Sequence, residues 1–174
     1  MSHYALLAFK NKRTEDESGC LPDEDELYQR IDCADYGRWI SFKNDIDFAE
    51  FVRLELEAFI EKDSFRVETS NDDPGAVTVR IFKGALSDMV RKQFDSVKER
   101  LSSMTYKDFA YREGAAYSIG KTLAGSGFEP QAVEIEDGGF SFVSPLSHYL
   151  SSYAEENSQG DTVLRVIGAY DFHA

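Results

Sequence analysis

Between Asp47 and Lys62 (DFAEFVRLELEAFIEK) the apolar residues Phe48, Phe51, Val52, Leu56, Phe59 and Ile60 recur at steps of three and four. That spacing gathers them on one side of an α-helix. A helix with one apolar side must lay it on a second layer, so the remaining chain has to supply a sheet or further helices to receive it. Asn44 or Asp45 can cap the helix start, because a short side-chain oxygen there accepts a bond from an unpaired helix N–H. The outward side carries Asp47, Glu50, Glu57 and Glu61 around Leu54, with only Arg53 nearby to offset the acids.

The second layer reads as strands. Tyr4–Phe9 (YALLAF) is short and apolar on both faces, the pattern of a strand inside a sheet. Arg38–Phe42 alternates and carries the single tryptophan, Trp39. Phe65–Thr69 and Ala76–Phe82 alternate on either side of SNDDPG, and Ala132–Glu136 and Phe140–Ser144 flank Asp-Gly-Gly. Both linkers contain residues that tolerate tight-turn backbone, so both pairs are expected as antiparallel hairpins. Thr162–Phe172 is a long closing strand.

Helices are expected at Leu86–Met104, with Leu86, Val90, Phe94, Val97, Leu101 and Met104 inward, and at Tyr106–Ala124, whose Gly114, Ala115, Ala116 and Gly120 permit close packing. A third, opened by Ser144-Pro145, is expected to run to about Asn157 with Leu146, Tyr149, Leu150 and Tyr153 inward. Helix, hairpin, helix thus occurs twice, without residue-level repetition. The expectation is one α+β domain over residues 1–174, helices on a mainly antiparallel sheet, with an acidic loop and short helix inserted at about 11–35.

Charge narrows the function. The chain carries 32 acidic against 19 basic residues, a net charge of −13, and residues 1–73 hold 19 of the acids against 9 bases. A field of that sign repels nucleic-acid phosphates and anionic membrane and attracts cations, so a basic protein partner is expected, with no direct nucleic-acid or membrane binding. The absence of a long apolar run or a signal-peptide pattern points to a cytoplasmic protein. Cys20 and Cys33 have no CxxC spacing and read as free thiols.

Signatures of catalysis are few. Gly120-Lys121-Thr122 follows Gly114 at the wrong spacing for a phosphate-binding loop and lies in a helical pattern. Glu55 and Glu113 each fall in the apolar stripe of a helix, where a carboxylate is paired or has a raised pKa. Two such groups converging would serve as acid and base, or hold a divalent metal. His3, Asp171 and His173 would approach one another if the first and last strands were antiparallel neighbours. Neither a metal nor another cofactor is expected.

The leading expectation is therefore a non-enzymatic acidic inhibitor that blocks a basic nucleic-acid-binding protein or nuclease, its carboxylates standing where phosphates would. Toxin-neutralising immunity proteins and phage anti-CRISPR proteins share this composition. The contact residues expected are Asp23, Glu24, Asp25, Glu26, Asp47, Glu50, Leu54, Glu57 and Glu61, with Trp39 as an aromatic anchor. The alternatives are an enzyme using Glu55 and Glu113, or an adaptor or homodimer contacting through the small-residue face at 110–124.

Overall fold

The computed structural model describes residues 3–10, 36–39, 48–69, 76–105, 130–136, 139–140 and 144–173. The Asp47 helix forms as α1 (Phe48–Glu57) and is preceded by β1 (His3–Lys10) and β2 (Tyr36–Trp39). After a turn and a short 3₁₀ segment, Lys62–Ser64, come the hairpin β3 (Phe65–Thr69) and β4 (Val77–Ile81) and the long helix α2 (Ala85–Ser103). Then follow β5 (Gln131–Glu136), β6 (Gly139–Phe140), β7 (Ser144–Pro145), α3 (Leu146–Ser151), α4 (Ala154–Asn157) and β8 (Thr162–His173). This is an α+β fold.

One sheet collects every described strand in the order β3-β4-β8-β1-β5-β6, with β2 on β8 and β7 on β5. The two expected hairpins form, Phe65 opposite Ile81 in the first and Ile135 opposite Phe140 in the second. The β1–β5 pairing is parallel and all others are antiparallel, so the sheet is mainly antiparallel as expected. β1 and β8, the first and last strands, are neighbours at the centre, and their register sets His3 opposite His173 and Ala5 opposite Asp171.

Strand alternation assigns the two faces. On one, Leu7, Phe9, Phe65, Val77, Val79, Ile81, Ala132, Leu164, Val166 and Ala169 form a single core with Phe48, Val52 and Leu56 of α1, Ile60 after it, Leu86 and Met89 of α2, and Leu146 and Leu150 of α3. A register shift between Ala8 and Phe9 skips Ile167, which is how both Val166 and Ala169 reach this face. On the opposite face Leu6, Ala8, Val133, Ile135 and Tyr170 are also buried. The far side of β3, β4 and the start of β8 differs: there Arg66, Val163 and Arg165 are exposed.

Three expectations need correction. First, α1 ends at Glu57, and Phe59 and Ile60 turn back with both amides bonded to the Leu56 carbonyl; Ile60 still reaches the core by this tighter path. Second, the inward stripe of α2 holds only for its first turns. Leu86 and Met89 are buried, but Phe94 is 64% and Leu101 39% exposed. A 19-residue helix is about 28 Å long, whereas the elements it packs on, α3 and α4, are only 6 and 4 residues long, about 9 and 6 Å, so they cover only part of its length. Third, the helix expected through Asn157 is broken into α3 and α4 by a turn at Ser152–Tyr153. The expected helix at 106–124, the residues of β2's expected extension at 40–42, and the 11–35 insertion lie outside the described residues.

Asn157, fully buried, ties α4 to the β4–α2 junction. Its Oδ1 accepts the Leu86 N–H at 3.0 Å. Its Nδ2 donates to the carbonyls of Ile81 and Phe82 at 3.2 Å and of Gly160 at 3.3 Å, and its own carbonyl accepts the Gly84 N–H at 3.0 Å. The Leu86 amide is one of the donors left unpaired at a helix start, so the asparagine acts as a cap supplied from elsewhere in the chain. Gly84, before α2, has φ +88°, a left-handed backbone that glycine adopts without strain.

Candidate functional site

The outward side of α1 is built by helical phase. Glu50, Arg53, Leu54 and Glu57 are three and four residues apart, so their side chains stand side by side. Arg53 donates from Nε to Glu50 at 2.6 Å and from its terminal nitrogens to Glu50 and Glu57. One guanidinium thus spans two carboxylates a turn apart. The bond from Arg53 holds the Glu50 carboxyl below its ordinary pKa and raises that of Arg53 itself. Leu54 stands beside this ridge with 52% of its surface in solvent.

Glu61, past the end of α1, accepts a bond from Lys92 of α2, and that bond keeps its carboxyl below the usual range. A shallow groove of about 220 Å³ separates the two elements there, floored by Phe59, Ile60, Ala85 and Met89 and rimmed by Glu61, Asp88, Arg91, Lys92 and Asp95. The three described acids of this face are therefore each paired with a cation, Glu50 and Glu57 with Arg53 and Glu61 with Lys92. Lys92 is 31 positions from Glu61, and nothing local in the sequence pairs them.

Of the remaining expected contact residues, Asp23, Glu24, Asp25, Glu26 and Asp47 lie outside the described residues. The backbone of Trp39 pairs with Tyr170 at the edge of β2. The structure brings Glu50, Leu54 and Glu57 together on α1 and sets Glu61 beyond its end, where it is bonded to Lys92 of α2.

Glu55 is half-buried, as its place in the apolar stripe requires, and burial raises its pKa. Its proposed companion Glu113 lies outside the described residues, so no acid–base pair is established. Among the described residues no three His, Cys, Asp or Glu side chains are grouped to hold a metal ion. No described helix is long and apolar enough to cross a membrane.

A second polar cluster was not anticipated from the sequence. Tyr149 stacks on Phe9 with ring centroids 4.5 Å apart, and its hydroxyl lies 3.1 Å from that of Tyr153. Burial, the Tyr153 bond and the charge of Glu134 all raise the Tyr149 pKa. Tyr149 and Tyr153 were legible as inward residues, whereas Glu134 comes to them only through the parallel β1–β5 register that sets it opposite Phe9.

The chain matches no protein family, no curated protein and no solved structure.

Proposed function

We propose that this chain is a non-catalytic acidic protein that binds and blocks a basic, nucleic-acid-handling protein, with the outward side of α1 at the centre of the contact. The observation that carries the reading is Leu54, an apolar side chain 52% exposed beside two carboxylates that Arg53 holds in line. Each carboxylate has about four lone-pair sites and spends only some of them on Arg53, so it still accepts from an incoming lysine or arginine. The exposed leucine supplies apolar anchorage that charge alone does not. Because Arg53 and Lys92 reduce the local charge, attraction over distance comes from the net −13 of the whole chain, and α1 acts at close range.

The test is retention of proteins from the native host's lysate on the immobilised chain and on a Glu50→Lys/Leu54→Ala/Glu57→Lys variant, at low and high salt. The wild type retains a basic nucleic-acid-handling protein at low salt, high salt releases it, and the variant fails to hold it while melting at nearly the same temperature. Equal retention by both, or retention of no basic protein, refutes the proposal. Exposed charges contribute roughly 0–1 kcal/mol to folding, which is why the variant keeps its fold.

A further inference from the structure

We infer that the outer part of α2, from Val90 to Leu101, docks an amphipathic helix of a partner protein whose apolar seam is flanked by carboxylates. Val90, Phe94, Val97 and Leu101 recur at steps of four, three and four, the d and a spacing of a heptad repeat. Side chains so spaced form a seam that a second helix covers knob into hole. Much of this seam is open: Phe94 is 64% and Leu101 39% exposed, and Val90 and Val97 are only half-buried. The buried residues of the helix, Ala85, Leu86 and Met89, all belong to its first turns. The open stretch is about 16 Å long, room for roughly three turns of a docked helix.

The charges beside the seam select the occupant. From Val90 to Ser103 the helix carries four bases, Arg91, Lys92, Lys98 and Arg100, against two acids, Asp95 and Glu99, within a chain of net charge −13. Arg91 and Lys92 are engaged, Arg91 with Asp88 at 3.7 Å and Lys92 with Glu61. Lys98 and Arg100 are exposed, and neither side chain has an ion pair among the described residues. With Leu101 at an a position, Lys98 falls at e and Arg100 at g, one on each side of the seam, while Asp95 and Glu99 fall at the outer b and f positions. Carboxylates at the flanking positions of an incoming helix therefore meet both cations.

A second copy of α2 supplies no such carboxylate. Laid antiparallel with Phe94 on Val97, it sets Arg91 against Lys98 and Arg100 against Gln93; laid parallel, it sets Lys98 against Gln93 and Arg100 against Thr105. At physiological salt the Debye length is about 8 Å, so a docked helix feels the charges beside the seam more than the net charge of the whole chain.

Fluorescence anisotropy tests the inference with a labelled peptide of three heptads, leucine at a and d and glutamate at e and g, whose own charges keep it from self-pairing at neutral pH. The wild type binds the peptide. Phe94→Ala/Leu101→Ala weakens binding by at least about tenfold, and so does Lys98→Glu/Arg100→Glu. All four side chains are exposed, so both variants melt close to the wild type. Val163→Thr, which alters an exposed apolar residue of β8, leaves the affinity unchanged. No binding by the wild type, undiminished binding by either double variant, or equal weakening by Val163→Thr overturns the inference. So does a dimer in sedimentation that Phe94→Ala/Leu101→Ala dissociates, since the seam is then covered by a second copy.

Discussion

Replacing Asn157 separates a buried polar clamp from ordinary core packing. The side chain is fully buried and spends its single oxygen and both amide hydrogens on the β4–α2 junction and the Gly160 carbonyl. Three carbonyls share two hydrogens, so the clamp counts as about three net hydrogen bonds at roughly 1 kcal/mol each. Asn157→Ala also leaves the Leu86 N–H buried without its partner, which brings the expected loss to about 3–4 kcal/mol. With an m-value near 2 kcal/mol/M, the urea midpoint falls by about 1.5–2 M. Asn157→Asp keeps the acceptor for Leu86 but turns a lone pair toward the Ile81 and Phe82 carbonyls, and its loss at neutral pH matches or exceeds that of alanine. Urea unfolding followed by circular dichroism and by fluorescence, with coincident transitions, measures both variants. A loss below about 1 kcal/mol for alanine, or an aspartate variant as stable as the wild type, refutes the accounting.

Three further outcomes follow from single groups. Thr162 is fully buried with no bonding partner for its hydroxyl among the described residues, so Thr162→Val, of similar shape, raises stability by about 1 kcal/mol in the same urea assay. Gly84→Ala meets no atom within 4 Å but must hold φ near +88°, and costs about 1–2 kcal/mol of backbone strain. Burial raises the Glu55 pKa in the folded state, so its ionisation opposes folding as pH rises through that value, and its penalty is absent when both states are protonated. Glu55→Gln therefore raises the melting temperature at pH 7 and leaves it unchanged below about pH 4, read by thermal melts across pH.

What was legible in the sequence was whatever depends on near neighbours. The two hairpins follow from turn residues between alternating segments, and α1 from its apolar spacing, because each is decided within about a dozen residues. The pairings that shape the candidate surfaces are not local. Nothing in the α1 sequence announces Lys92 as the partner of Glu61, and nothing around Asn157 announces the Leu86 amide 71 positions away. The exposed Phe94 has the same cause, since the sequence of α2 carries the helix period but not the shortness of α3 and α4, on which the helix packs. Alternation alone marks Arg66, Arg80 and Arg165 as outward residues, and only the register sets Arg66 opposite Arg80 and Arg165 opposite Thr78.

The placement of β8 has a consequence for how the chain reaches this structure. The last strand in chain order lies between β4 and β1, so the middle of the sheet is the part made last. The β3–β4 hairpin closes over a handful of residues. By contrast β1 waits for a partner some 160 positions later, a loop closure costing about 2.5 kcal/mol more. During synthesis β1, apolar on both faces, has neither β5 nor β8 to cover it until most of the chain has emerged. The excess of acids over bases in residues 1–73 gives that unfinished species a net negative charge, which opposes its association with other copies while the central strand is still missing.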